Sequence, residues 1–99
     1  MFGTIGHIRV RDGHEPALNE LMEDWSVAIR PRVPGSFLQL YGRSVDRPGE
    51  TVFVALAENE ATYRQLAELP EQDAWYRRLL EHIEREPEWE DVELDYAGE

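Results

Sequence analysis

The chain has 99 residues, short enough that a single domain spanning residues 1–99 with one modest core is expected. Its net charge of −11 would repel phosphate backbones and anionic lipid surfaces, which excludes nucleic acid and such membranes as expected partners. It contains no cysteine, which fits a reducing cytoplasm, and no apolar run approaches the ~20 residues of a membrane span.

Alternation of apolar and polar residues predicts a first strand over residues 2–11, with His7 on the face opposite its apolar side. From about Glu15 the apolar residues recur at three- and four-residue steps, which predicts an amphipathic helix. Trp25 lies on the apolar stripe of this helix. The helix is expected to end near Arg30, because two prolines follow and disfavour helical conformation in the residues before them.

Two further strands are predicted over residues 36–43 and 51–57. The turn cluster at residues 46–49 is short, so the two strands are expected to form an antiparallel hairpin. The later strand is almost entirely apolar, which predicts that it is central in a sheet and covered on both faces. Alternation in the earlier strand places Phe37 and Tyr41 on one face.

The second helical segment begins at the predicted N-cap Asn59, is broken once at Pro70 and is expected to end at Pro87. Proline breaks the segment because it lacks a backbone donor and clashes with the preceding turn. The side chains of interest on this segment are Tyr63, Trp75, Tyr76 and His82.

Residues 88–96 alternate again and predict a last strand. Its acidic face, which includes Asp91 and Glu93, is expected to be exposed, and Trp89 is expected to cap the core. The order β-α-β-β-α-β predicts a ferredoxin-like α+β fold: a four-stranded antiparallel sheet with both helices on one face.

The sheet face without helices is expected to be apolar. The side chains assigned to it are Ile5, His7, Phe37, Tyr41 and Phe53. This is too much apolar surface for open water, so a second copy is expected to cover it and form a homodimer through the sheet face.

A family resemblance rests on most of the chain. The first strand ends in R-x-R-D-G, and the segment PGSFLQLYGRSVDRPGETVFVALAENEATYRQLAELPEQDAWYRRL follows the first helix. Together they resemble the antibiotic biosynthesis monooxygenase-like domain of the dimeric α+β barrel superfamily, from Ile5 to about Tyr96. The resemblance implies a dimer whose two sheets form a barrel, with a pocket between the helices and the sheet of each subunit. It also implies oxidation of a small aromatic, quinol-like molecule without a cofactor, the substrate carbanion itself reacting with oxygen.

His7 and His82 are the candidate catalytic residues, because imidazole titrates near neutral pH and can act as a base. The alternatives are a dimer-interface role for His7 and a helix-end position for His82, where the helix dipole favours a cation. His14, in a turn, is expected to be solvated. The candidate substrate-binding residues, which would otherwise be ordinary core residues, are Trp25, Tyr63, Trp75, Tyr76 and Tyr41.

Three scattered histidines without cysteine have no metal-ligand spacing, so neither a metal nor a cofactor is expected. Two functions of different kinds stay open: a cofactor-independent monooxygenase, and a non-catalytic ligand-binding or dimerisation domain. Haem degradation, which occurs in the family that the chain resembles, is a minor alternative. It would require Trp75 and His82 to face a haem.

Overall fold

The computed structural model describes residues 1–98, which form four strands and three α-helices. A short 3₁₀ turn at Arg30–Arg32 follows the first helix. The elements are β1 (Phe2–Arg9), α1 (Glu15–Ala28), β2 (Phe37–Arg43), β3 (Glu50–Ala57), α2 (Glu60–Ala67), α3 (Pro70–Leu80) and β4 (Glu88–Glu93).

The four strands form one antiparallel sheet in the order β2-β3-β1-β4. The apolar strand β3 is central, as its composition predicts, and β1 is the other central strand. The helices pack on one face of this sheet, and Ile8, Leu21 and Leu79 are the largest fully buried side chains between the two layers. The predicted ferredoxin-like α+β fold is therefore confirmed. No helix within residues 1–98 is both long enough and apolar enough to cross a membrane.

The break in the second helical segment lies where proline predicts it. The Asn59 side chain caps α2 by accepting a hydrogen bond from the Thr62 N–H at 2.9 Å. That helix ends at Ala67, and α3 begins at Pro70, where a missing backbone donor costs nothing. The two pieces can therefore take different directions over the sheet.

The prediction that this segment stays helical to Pro87 is wrong, because α3 ends at Leu80. The chain then runs beside the end of β1, where the Glu84 N–H donates to the Arg9 carbonyl at 2.8 Å. This tertiary pairing satisfies the backbone groups that a longer helix would have used, and it buries Ile83 in the core.

The assignment of Phe37, Tyr41 and Phe53 to the uncovered sheet face is also wrong, because all three face the helices. Phe37 stacks on Trp25 with ring centroids 5.1 Å apart, and Phe53 is only 4% exposed. The Tyr41 hydroxyl donates to Asn19 Oδ1 of α1 at 2.9 Å. Alternation separates the two faces of a strand without saying which one is covered.

The uncovered face nevertheless carries many apolar side chains, as predicted, but most of them are not the residues that were assigned to it from sequence. His7 and Ile5 lie on it, as expected from the alternation of β1. Leu38 and Leu40, on the edge strand β2, are 43% and 55% exposed. The neighbouring positions on this face are filled by Val52, Val54, Leu56 and Val92.

Candidate functional site

A cavity of about 400 Å³ lies between the helices and the inner face of the sheet. Its volume falls within the range of small-molecule sites. Half of its lining residues are aromatic, and they come from both the helices and the sheet. The aromatic residues of the wall are Trp25, Phe37, Phe53, Tyr63, Trp75, Tyr76 and Trp89.

The α1 side of the cavity is held by Trp25. Its indole N–H donates to Gln72 Oε1 of α3 at 2.7 Å, and its ring stacks on Phe37. An indole nitrogen can only donate, so this bond fixes which end of the Gln72 amide faces Trp25. The amide NH₂ of Gln72 is thereby left as a neutral donor at the cavity wall.

Trp75 and Tyr76 follow the proline break and form the α3 wall. The Trp75 indole N–H donates to the Leu21 carbonyl of α1 at 2.7 Å, in a buried position. The indole N–H of Trp75 is therefore already used to join α3 to α1, and only the apolar ring of Trp75 is left to line the cavity. The Tyr76 hydroxyl accepts a hydrogen bond from Trp89 Nε1 at 3.0 Å.

Trp89 brings β4 into the site by lying across a glycine. It is paired with Gly6 in the β1–β4 register, and its ring covers the space where a Gly6 side chain would be. The ring is 40% exposed and lies 6.4 Å from the Phe53 centroid. The bond between Trp89 and Tyr76 thus links β4 to α3 along one side of the cavity.

Polar groups gather where β1, β4 and α2 meet. The Tyr63 hydroxyl donates to Asp91 Oδ1 over 3.5 Å. The Thr4 hydroxyl donates to the Glu90 carbonyl at 3.1 Å. Burial raises the pKa of Tyr63 above its usual value of 10.0, and the negative charge of Asp91 raises it further. Tyr63 is therefore a protonated donor at neutral pH. Asp91 is exposed, as predicted for the acidic face of β4, and it also lines the rim of the cavity.

The raised pKa of Tyr63 predicts a stability effect at alkaline pH. The unfolded state loses this proton near pH 10, whereas the folded state keeps it to a higher pH. The contribution of Tyr63 to stability is thus fully present below pH 10 and is lost as the pH rises through the folded pKa. We expect Tyr63→Phe to show a smaller loss of unfolding free energy above pH 10 than the wild-type protein, measured by urea titration. Tyr96→Phe, at a side chain 78% exposed, is the matched control. Equal alkaline losses in wild type and Tyr63→Phe would contradict the prediction.

Four of the seven residues predicted for the site line this cavity: Trp25, Tyr63, Trp75 and Tyr76. Tyr41 does not, since it lies over a neighbouring groove beside α1 and bonds to Asn19.

The two candidate histidines lie away from the cavity. His7 is on the uncovered sheet face, with Nδ1 3.7 Å from Glu50 Oε2. His82 lies in the turn after α3, with its Nδ1 atom 3.0 Å from that of His14, so one ring donates and the other accepts. The expectation that His14 is solvated is wrong. Catalytic roles for His7 and His82 stay predictions, and neither is supported by this cavity.

Sequence reasoning did not assign Trp89, Gln72, Asp91 or Thr4 to the site. A signal existed for Trp89, because an aromatic residue beside a mid-strand glycine in a paired strand commonly covers it. That signal requires the β1–β4 register, which places Trp89 opposite Gly6. Gln72 and Asp91 carry no such pattern in sequence, since they look like ordinary polar surface positions.

Solved structures with the same fold include three that are named as proposed antibiotic biosynthesis monooxygenases. The one from Deinococcus radiodurans has 17% identity and a TM-score of 0.76, over 100% of this chain and 97% of that chain. The one from Caulobacter crescentus has 14% identity and a TM-score of 0.81, over 96% of this chain and 90% of that chain. The one from Nitrosomonas europaea has 17% identity and a TM-score of 0.73, over 97% of this chain and 100% of that chain.

At such identities the likeness shows the fold alone. At that level the chain shares its fold with structures named as antibiotic biosynthesis monooxygenases, the family that its sequence resembles. No family model matches the chain, and no curated protein matches it.

Proposed function

We propose that the protein is a cofactor-independent monooxygenase that oxidises a small aromatic, quinol-like molecule in the cavity between the helices and the sheet. The observation that carries this proposal is an aromatic cavity of about 400 Å³ with a protonated phenol and a carboxylate at one end. The names of the similar structures support the same reaction class.

The reaction needs a proton acceptor and a donor for the oxygen atom that becomes negative. Asp91 is the acceptor in this proposal, and the Tyr63 O–H, which lies 3.5 Å from Asp91 Oδ1 without substrate, turns to donate to the developing phenolate or enolate. The carbanion then gives its electrons to O₂: in an anthrone, a CH₂ group and O₂ become C=O and H₂O, and in a hydroquinone, the ring and O₂ become a hydroxyquinone and H₂O. One carbon–oxygen bond forms, and the second oxygen atom leaves in water.

Oxygen uptake tests this assignment. With a panel of hydroquinones and anthrones, we expect Asp91→Asn to lower the rate about 100-fold, as for loss of a general base. Asp24→Asn removes a carboxylate that is likewise paired with an arginine but lies outside the cavity, so its rate should match the wild type. His7→Ala and His82→Ala test the histidine assignments made from sequence. Absence of turnover for every panel member would contradict the proposed function.

We further propose that the uncovered sheet face packs against a second copy. Its exposed leucines, Leu38 and Leu40, lie beside valines on the same face, and covering them would remove apolar surface from water. We expect the wild-type chain to be a dimer by light scattering at micromolar concentration and Leu40→Asp to be a monomer. Val27→Asp is the control, because Val27 is 73% exposed on α1 and should leave the dimer intact. A monomeric wild-type chain would contradict the proposal.

A non-catalytic ligand-binding domain is the second candidate function. It is favoured by the positions of His7 and His82 outside the cavity and by the use of the Trp75 N–H within the protein. This candidate predicts binding of aromatic molecules without oxygen uptake. Haem degradation is separated from both by adding haemin, because it alone predicts a Soret band.

A further inference from the structure

Two carboxylates line the cavity, and their arginine partners do not. Asp91 lies 3.8 Å from Arg64 Nη1, and Asp73 lies 3.0 Å from Arg77 Nε. Both pairs lie at the exposed rim of the cavity: the side chains of Asp91 and Asp73 are 48% and 60% exposed, and those of Arg64 and Arg77 are 52% and 76% exposed. Among residues 1–98, the side chains that line this cavity include these two carboxylates and no arginine or histidine.

The hydrogen-bond donors that the cavity presents are uncharged. They are the Tyr63 hydroxyl, which stays protonated at neutral pH, the Tyr76 hydroxyl, which accepts from Trp89 and keeps its own proton to donate, and the amide NH₂ of Gln72. None offers the positive charge that an anionic group requires once its water is removed. An anion in this cavity would therefore lose its water without gaining a free cation, because Arg64 and Arg77 already pair with Asp91 and Asp73.

A cationic ligand also gains little binding energy in this cavity. Each carboxylate already has an arginine beside it, so the cavity has no excess negative charge to neutralise. The carboxylate oxygens can still accept a hydrogen bond from a neutral hydroxyl group. The chemical match is thus a neutral donor rather than an ammonium group.

We infer that the cavity selects an uncharged phenolic aromatic molecule and rejects its carboxylated analogue, with Asp91 and Asp73 as the specificity-determining residues. This inference rests on the proposed function for the choice of an aromatic ligand. It goes beyond that function by naming the charge and the donor group of the substrate. Loading of this site then requires a substrate that carries no free carboxylate.

Three naphthalene probes of similar size test the inference by calorimetry at pH 7: 2-naphthol, 2-naphthoate and protonated 2-(aminomethyl)naphthalene. We expect 2-naphthol to bind at least about tenfold more tightly than 2-naphthoate, since the carboxylate of 2-naphthoate loses water in the cavity and finds no free cation there. In Asp91→Asn and Asp73→Asn this ratio should fall, because 2-naphthoate gains affinity. In Asp24→Asn the ratio should stay at the wild-type value, because that carboxylate pairs with Arg78 outside the cavity.

The outcomes separate the inference from the proposed function. Equal or tighter binding of 2-naphthoate, tightest binding of the cationic probe, or no binding of any probe would overturn the inference. An unchanged ratio in both cavity variants would overturn the roles of Asp91 and Asp73. Selective binding of 2-naphthol without oxygen uptake by any hydroquinone or anthrone would leave the inference standing and overturn the monooxygenase.

Discussion

Alanine in place of Gly3 is expected to lower the free energy of unfolding by about 3 kcal/mol, the upper range for an overpacked interior position. A Cβ atom at this position would lie 2.8 Å from Leu56 Cα and closer still to the Ala55 carbonyl oxygen. Both neighbours are backbone atoms of β3, so neither can move without shifting the strand. The added methyl group must therefore separate the two central strands of the sheet.

Urea unfolding at a fixed protein concentration measures this effect, because any dimer would make the midpoint depend on concentration. Gly42→Ala is the matched control: Gly42 also lies in a strand, and a Cβ atom there meets nothing within 4 Å. That control should change stability little or raise it by about 0.5 kcal/mol, as alanine loses less conformational freedom on folding. Equal unfolding midpoints for the two variants would show that β1 and β3 are not so closely apposed.

Alanine in place of Gly6 is expected to act on the site more than on the fold. Its Cβ atom would lie 3.0 Å from Trp89 Cη2 and closer still to two other ring atoms. The Trp89 ring is 40% exposed and can swing outward, which limits the loss of stability to about 1 kcal/mol. Outward movement removes one aromatic wall and the bond to Tyr76, so affinity for 2-naphthol should fall about tenfold.

A double-mutant cycle tests whether Gly6 acts through Trp89. Gly6→Ala should reduce affinity in the wild-type background and have no further effect in Trp89→Ala, where the blocking ring is absent. Additive losses in the double variant would contradict the proposed route. Calorimetric titration with 2-naphthol and a urea midpoint for each variant separate loss of the wall from loss of the fold.

Much of the fold could be predicted from sequence because apolar periodicity and proline positions dominate it. The period-two and helical patterns locate all four strands, and Asn59 and Pro70 mark where the second helical segment starts and breaks. The errors arise where tertiary contacts outweigh local preference. The run after Leu80 has helical spacing, yet it pairs with β1, because that pairing satisfies backbone groups and buries Ile83.

The site could be predicted only in part. Trp25, Tyr63, Trp75 and Tyr76 are large aromatic residues on helix faces that must meet the sheet, so their position at a cavity follows from the fold. The polar partners depend on side-chain distances across elements, such as the 2.7 Å bond from Trp25 to Gln72, which no local pattern encodes. His7 and His82 are candidates through the chemistry of imidazole alone, and no local pattern shows whether a histidine faces the cavity.

The pairing of β1 with β4 also determines when the site can form during synthesis. Thr4 and Glu90, joined by a side-chain hydrogen bond, are 86 positions apart in sequence. A ribosome delivers β1 well before β4, so one edge of β1 waits unpaired until β4 has emerged. Trp89 and Asp91 arrive with β4, which makes the cavity wall the last part of the sheet to be completed. A ligand can therefore stabilise the domain only after β4 has emerged, by holding that strand in place.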